Sequence, residues 1–382
     1  MNLALTDTQQ ALREEFRSFV QTELLPYAND YDKQGFIPME LIQKLGARGY
    51  LGATLPEAYG GRNMDQVSYG LLNEEIGSAC SSTRSLITVH SSLTAETILR
   101  WGTREQKDKW LPLLATGASL AAFGLSEPDA GSDTAGIKTT YQVTADGYTL
   151  NGVKKWITFA QTAHLFVIVA QGEQGITAFL VERDTPGLTV KPLEGILGTR
   201  ASMLGEIHLD DCHIPAENLF GRKGWGLQQI VNTALDNGRY SVACGSLGIA
   251  RACLEDSIRY AKNRRSFGQL LKDHQLIKQK IANMVTEVKA ASLLCRNAGY
   301  LRDKKDPDSI IQTSLAKYHA SRMANNIAAE AVQLHGALGC HDSISIQRYF
   351  RDAKVMEIIE GSTEIQQILI ADHSIAGLST IL

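Results

Sequence analysis

Phe166-Val167-Ile168-Val169-Ala170 and Ile176-Thr177-Ala178-Phe179-Leu180-Val181 are two short runs rich in β-branched and aromatic residues, separated by five residues that include two glycines. Runs of this length and composition, bounded by turn residues, read as strands. Their position in the chain decides the fold, because helical spacing lies on both sides of them. Upstream, residues 1–118 look helical, with breaks at Pro26, Pro38, the Leu55-Pro56 and Gly60-Gly61 loop, and Pro112. Thr6 and Gln9 suit a capping box, followed by Leu12, Phe16 and Phe19 on one face. Downstream, Ile277, Ile281, Met284, Val285 and Val288 make one apolar face over three turns, and further helices are expected over residues 310–335 and 363–377. Around the two central runs, Glu206-Ile207-His208-Leu209-Asp210 alternates as a half-buried strand should, and Asp146-Gly147 and Asn151-Gly152 are turn signals. The expected fold class is mainly α with a β middle domain. The expected parts are an N-terminal α-helical domain (1–118), a middle β domain (119–224) and a C-terminal helical bundle (225–382), packed as one body.

Composition narrows the function classes. A net charge of −3 gives no support to a nucleic-acid partner, which usually meets a basic face. No apolar run approaches the roughly 18–20 residues of a membrane span, so membrane insertion is not expected. The first residues lack the pattern of a secretory signal. Cys80, Cys212, Cys244, Cys253, Cys295 and Cys340 are scattered without a C-x-x-C pair, as expected of reduced thiols in a cytoplasmic protein.

Most motif-bound chemistry is missing. There is no Walker A loop, no strand-bound G-x-G-x-x-G and no G-x-S-x-G elbow. Gly221, Gly224 and Gly226 around Trp225 read as a turn. His208 and His213 flank Cys212 without further ligands nearby, so no metal is expected. The acidic doublets Glu14-Glu15, Glu74-Glu75 and Asp210-Asp211 read as solvated surface.

Glu360 differs, standing in Val355-Met356-Glu357-Ile358-Ile359-Glu360-Gly361-Ser362-Thr363-Glu364 between two helical stretches. Backed by isoleucines, such a carboxylate would be partly desolvated and a better base, although a helix-flanking Glu is also commonplace. Ser362 suits the N-cap of the helix that follows. The run from Ser126 to Asp133 offers amides and hydroxyls to a ligand, or is a plain loop. Trp156, Ile157 and Thr158 set an indole beside a hydroxyl, fit for a flat heterocycle or for simple burial.

In order and separation, LSEPDAGSD (125–133), NGVKKWIT (151–158), RRSFGQ and HQ (264–275), AVQLHGALG (331–339), and RDAK and IIEGSTEIQ (351–366) resemble the motifs of the acyl-CoA dehydrogenase family, over nearly the whole chain. The resemblance implies a helical domain, a β-barrel-like domain and a four-helix bundle, with FAD between the last two. It implies that Phe123, Leu125, Ser126, Gly131, Ser132, Trp156, Ile157 and Thr158 surround the flavin, with Thr158 near N5. Arg264, Ser266, Phe267, Gln275, Gln333, Gly336 and Ala337 would reach the FAD of a neighbouring subunit in a homotetramer or homodimer, and Ser362 and Glu364 would also border the cofactor. Ser132, Asp236, Arg239 and Gly361 would contact substrate. Glu360 falls on the family's usual base: it would take the α-proton of an acyl thioester while the β-hydride passes to flavin N5. The alternative base position of isovaleryl-type members falls on Gly238.

Three positions depart from the pattern. Ile359 replaces a frequent aromatic, Ala337 a common glycine and Cys340 an aromatic. The stretches 197–215 and 234–250 resemble a branch acting on acyl carrier protein-bound groups in polyketide and non-ribosomal peptide pathways, of the hydroxymalonyl and aminomalonyl extender-unit type. That branch implies a small hydroxyacyl or aminoacyl substrate on a carrier protein, with Arg200, Arg239 and Arg251 near the tunnel mouth. The alternatives are a short- or branched-chain acyl-CoA dehydrogenase of catabolism, and a non-catalytic flavin-bound subunit, against which the presence of Glu360 argues. Electron-transfer flavoprotein or oxygen would accept the electrons.

Overall fold

Thr6 opens the first helix as its sequence suggests. Its hydroxyl accepts from Gln9 N at 3.2 Å, while Gln9 Oε1 accepts from Thr6 N at 3.1 Å. Helix α1 (Asp7–Phe19) therefore starts with two otherwise orphaned donors satisfied. Phe16 and Phe19 bury edge-on against Tyr50, at centroid distances of 5.3 and 5.2 Å. The computed structural model describes residues 4–377; the outermost residues of the two expected helical domains, 1–3 and 378–382, lie outside the described residues.

Helices α2 (Ala28–Gln34), α3 (Met39–Ala47), α4 (Gln66–Ala79), α5 (Ser81–Ile87), α6 (Glu96–Trp101) and α7 (Arg104–Thr116) complete the first helical region. Between α5 and α6 the chain runs through a π-helical stretch, Thr88–Ala95, all of it buried. Helix α4 is also buried along nearly its full length. This corrects the reading of Glu74-Glu75 as solvated surface. Both are buried, and Arg13, Arg17 and Arg251 surround them, with Arg251 Nη2 2.7 Å from Glu75 Oε2. Carboxylates survive inside a protein when cations meet them there. Arg251 is thereby committed to these two acids.

The strands form an eight-stranded sheet. Its main path runs β6 (Leu188–Pro192), β7 (Gly205–Pro215), β3 (Gly147–Ile157), β2 (Thr140–Val143), β4 (Leu165–Gly172), β5 (Gly175–Glu182), β8 (Leu219–Phe220), and β1 (Ala121–Gly124) pairs in parallel with β4. The two apolar runs of the sequence are the cores of β4 and β5, paired antiparallel with Val167 opposite Leu180. Asp146-Gly147 makes the turn from β2 into β3. Asn151-Gly152 does not turn the chain: it lies inside β3, where the register against β7 shifts. Gly152 has φ 147° and no space for a side chain, since a Cβ would come within 2.6 Å of Thr139 Oγ1. A glycine in mid-strand marks a bulge as readily as a turn.

His90, in the π-helical stretch, aligns the helical region with the sheet. Its Nδ1 accepts from Ala121 N at 3.2 Å and its Nε2 lies 2.9 Å from Leu114 O. Burial pushes the ring down to about 4, so it holds these two partners as a neutral imidazole.

Beyond the sheet come α8 (Asn232–Asn263), a hairpin of β9 (Arg265–Ser266) and β10 (Gln269–Leu270), then α9 (Gln275–Asp303), α10 (Ser309–His335), α11 (Ile346–Met356) and α12 (Thr363–Ala376). Helix α9 packs inward through Met284, Ala291, Cys295, Ala298 and Gly299. The expected face is therefore only partly right: Met284 is buried, but Val285 is 47% exposed. The small residues of the true stripe carry a weak apolar signal. Among the described residues no helix is long and apolar enough to cross a membrane. Five of the six cysteines are buried, Cys340 is exposed, and all are free thiols.

Candidate active site

Glu360 sits on the short link between α11 and α12 with φ 56°, a left-handed conformation that costs a non-glycine residue about 1–3 kcal/mol. The surroundings impose it. Arg239 Nε donates to Glu360 O at 3.3 Å, and Lys317 Nζ donates to Gly361 O at 2.7 Å and Glu357 O at 3.4 Å. Gln366 Nε2 donates to the carbonyls of Glu360 and Gly361 at 3.2 and 3.3 Å. Ser362 holds the N-cap position of α12, but its hydroxyl makes no capping bond to the helix amides. It lies instead by Glu364, whose carboxyl is held below its usual range by Glu364's own backbone amide and then by that hydroxyl.

The residue as a whole is partly exposed, yet Glu360 Oε2 is out of contact with solvent and has no hydrogen-bond partner. Burial pushes the carboxyl up to about 7, against the opposing pull of Arg239, Arg84 and Lys317. The same burial pushes Lys317 down to about 8 and Arg84 to about 10. Oε2 faces Gly238 of α8, where a Cβ would come within 2.3 Å of it. A buried, unbonded carboxylate oxygen with a proton affinity near neutrality is suited to taking a proton from carbon.

A second group of expected residues gathers at the sheet. Phe123 and Leu125 are buried at the end of β1, Ser126 is half-buried, and Gly131 and Ser132 are exposed. Lys155 N donates to Ser126 O at 2.8 Å, joining this segment to the end of β3. There Trp156, with φ 64°, is 54% exposed, Ile157 is buried and Thr158 is half-buried. An indole held outward beside exposed glycine and serine can stack on a planar ligand.

The junction rests on a buried ion pair absent from the sequence-based expectations. Lys154 Nζ lies 2.7 Å from Glu127 Oε1 and donates to Leu125 O at 3.1 Å, with side chains 0% and 3% exposed. Burial pushes the Glu127 carboxyl up, but hydrogen bonds from Lys154, Thr139 and Lys138 outweigh that and leave it below its usual range. Removing one partner strands the other. Lys154→Met is expected to cost about 3–5 kcal/mol, read as a lowered denaturation midpoint. An unchanged midpoint would show that the pair does not brace the junction.

Other expected residues lie elsewhere. Asp236 is bound by Arg302 Nη1 at 2.5 Å, and Arg302 also reaches Asn237, so in this structure Asp236 serves the bundle interior. Arg264 at the end of α8, Gln275 at the start of α9, and Gln333, Gly336 and Ala337 at the end of α10 are exposed, and Phe267 is 96% exposed on the hairpin; Ser266 is half-buried and its carbonyl lies 3.1 Å from His274 Nε2. Tyr260 and His335 stack at 4.4 Å and hold the ends of α8 and α10 together. Along α8, position 264 is 26 residues from Gly238, about 39 Å at helical rise. One chain therefore presents this cluster far from its own Glu360.

The segment 197–203 is tied to α11. Thr199 N donates to Asp352 Oδ1 at 2.6 Å, and Arg351 Nη1 donates to Leu197 O at 3.0 Å. Sequence reasoning missed Arg84 and Lys317. A lysine among Ala316, Ala320 and Ala324 on a buried helix face was the available signal for the second.

Family models described as the N-terminal, middle and C-terminal domains of acyl-CoA dehydrogenase match residues 6–118, 122–212 and 223–375. The chain is 40% identical to a probable acyl-CoA dehydrogenase, YngJ, of Bacillus subtilis, covering 97% of this chain and 99% of that one. It is 38% identical to the mitochondrial short-chain specific acyl-CoA dehydrogenase of Rattus norvegicus, covering 97% and 91%. Among solved structures, butyryl-CoA dehydrogenase from Megasphaera elsdenii aligns with a TM-score of 0.95 at 36% identity, over 98% and 100% of the chains. A glutaryl-CoA dehydrogenase from Mycobacterium smegmatis in complex with FADH2 gives 0.93 at 34%, over 99% and 97%. The prolyl acyl carrier protein oxidase AnaB gives 0.92 at 30%, over 97% and 99%.

Proposed function

This chain belongs to the acyl-CoA dehydrogenase family, and from that premise we propose that it dehydrogenates a short acyl thioester with Glu360 as the base that removes the α-proton. The observation that carries this reading is the sealed, unbonded Oε2 of Glu360, on a carboxyl pushed up to about 7. The enzyme is an FAD-dependent oxidoreductase. Bound FAD supplies the acceptor for the hydride that leaves the β-carbon.

The residues present fit that cofactor. Trp156 offers an exposed aromatic face at the sheet, and Phe267 offers another on the hairpin. Around Gly131 and Gly336 a Cβ would meet nothing within 4 Å, so the backbone there is open to a ligand. Phe123, Leu125, Ser126, Ser132, Ile157 and Thr158 would line the flavin. The span of about 39 Å along α8 supports a shared site, in which Arg264, Ser266, Phe267, Gln275, Gln333, Gly336 and Ala337 serve a neighbouring copy's FAD in a homodimer or homotetramer. Arg239 and Lys317 hold the carbonyls of the Glu360 loop, and Gly361 gives that loop its second left-handed residue.

Likeness to the short-chain and butyryl-CoA enzymes supports a CoA thioester more strongly than the carrier-protein substrate expected from 197–215 and 234–250. The bonds of 197–203 to α11 give that segment a structural role that needs no carrier protein. Likeness to AnaB is the observation that favours the second reading, a carrier-bound acyl group. An electron-transferring flavoprotein or oxygen takes the electrons onward, and the free thiols suit a cytoplasmic setting. Anaerobic mixing of the FAD-loaded enzyme with a panel of short thioesters, each on CoA and on carrier protein, tests the proposal. The flavin absorbance should bleach, faster with the CoA series. Faster bleaching by the carrier-bound series would select the second reading, and no bleaching by any thioester would overturn both.

A further inference from the structure

Lys317 is a charged residue on a helix face made otherwise of small side chains. Thr313, Ser314, Ala316, Ala320, Ser321 and Ala324 share the buried side of α10 with it. Lys317 itself is 0% exposed. By burial alone a methionine would be cheaper there, because an ammonium loses its hydration and regains only what its new partners return. Those partners are the carbonyl oxygens of Gly361, at 2.7 Å, and Glu357, at 3.4 Å. They bracket Glu360 in the chain, one just after it and one a turn before.

The bond to Gly361 falls on the second of two left-handed residues, with φ 56° at Glu360 and 89° at Gly361. Gln366 Nε2, from α12, reaches the same carbonyl at 3.3 Å, and Arg239, from α8, holds the carbonyl of Glu360. Gln366 is a neutral donor, so the turn can be held without charge. What a lysine adds is the charge. Against the effect of burial, the ionised form of Glu360 is favoured from three helices: by Arg239 of α8, Arg84 of α5 and Lys317 of α10. Facing Lys317 in turn are Glu360, then Arg239, then Glu357 and Glu364. Glu357 is engaged by Lys354 and Asn325, and Glu364 lies by Ser362. The ammonium and the Glu360 carboxylate therefore sustain each other's charge in surroundings where water screens little.

We propose that Lys317 is a positioning residue for the base, and that its positive charge, beyond its hydrogen bond to the link, keeps Glu360 ionised under working conditions. This rests on the reading of Glu360 as the base. A side chain that works this way has two signatures that a mere brace lacks. Its loss moves the pH at which the base ionises, and its loss matters only while the base is present.

The test is anaerobic flavin reduction of the FAD-loaded full-length enzyme by butyryl-CoA across pH. It compares wild type, Lys317→Met, Lys317→Arg, Glu360→Gln, and Glu360→Gln combined with Lys317→Met. In Lys317→Met the acid limb of the rate profile should move upward by about one pH unit, so that the rate below the limb falls about 10-fold. Lys317→Arg keeps the charge and should leave the limb near its wild-type place. In the Glu360→Gln background, Lys317→Met should change the remaining rate by less than about twofold. Infrared titration without substrate reads the same ionisation directly: the protonated-carboxyl band that Glu360→Gln lacks should persist to higher pH in Lys317→Met. A limb and band that stay in place in Lys317→Met, or a rate loss of equal size in both backgrounds, overturns the inference and leaves Glu360 as the base. If Glu360→Gln reduces at the wild-type rate, the reading of the base falls and takes the inference with it. Should Lys317→Met not fold, Lys317→Gln, which drops the charge and keeps a donor, replaces it in every arm.

Discussion

Glu360→Gln is expected to yield folded, FAD-loaded protein whose flavin is reduced by thioester about 10²–10⁴-fold more slowly than wild type. The amide keeps the shape of the side chain, and Oε2 has no hydrogen bond to lose. What disappears is the basic electron pair. No carboxylate stands at 238 to take over, because that position is glycine. The same group sets the pH dependence. Its folded value, about 7, lies above the ordinary 4.5, so the folded state holds the proton more tightly than the unfolded one. The stability Glu360 contributes is complete below about pH 4.5 and is lost as pH rises through about 7. Activity runs the other way, since only the ionised form can accept the α-proton. Flavin reduction should therefore fall off on the acid side of about pH 7, and the Gln variant should be relatively more heat-stable on the alkaline side. Near-wild-type reduction in Glu360→Gln would move the base elsewhere.

Gly238→Ala should cost about 10²-fold in reduction rate. The added carbon would come within 2.3 Å of Glu360 Oε2, 2.6 Å of its Cδ and 2.8 Å of Leu93 Cδ1. Helix and π-helical stretch are rigid on either side, so the flexible carboxylate is what gives way. A displacement of about an ångström at a reacting group costs on this scale. Stability should not follow, because alanine inside a helix is preferred over glycine by about 0.5–1 kcal/mol. A variant that melts at or above the wild-type temperature and still fails to bleach separates positioning from folding. Wild-type reduction rates in Gly238→Ala would show that the carboxylate has other room.

The layers of the fold were legible because their signals are local. Apolar runs of strand length gave β4 and β5, and a capping pair gave the start of α1. Glu360 stood out from its two helical flanks, but its assignment as base came from resemblance and not from spacing. What stayed hidden depends on contacts distant in sequence. Glu74-Glu75 looks like any surface doublet until Arg251, from another helix, is folded against it. Arg84 and Lys317 are ordinary basic residues in the sequence, and only packing removes their water. The inward face of α9 escaped for a different reason: alanine, cysteine and glycine make it, and hydrophobic period is read chiefly from large residues.

The contact between Gly238 and Glu360 has a historical consequence. A carboxylate grown from position 238 would claim the volume that the Glu360 carboxylate already fills. In this architecture a second acid at 238 would displace the first from its place. Moving the base from one helix to the other requires that one acid be lost before the second is useful, or that both codons change together. The two arrangements thus compete for one volume, and base position should be inherited as an either-or character.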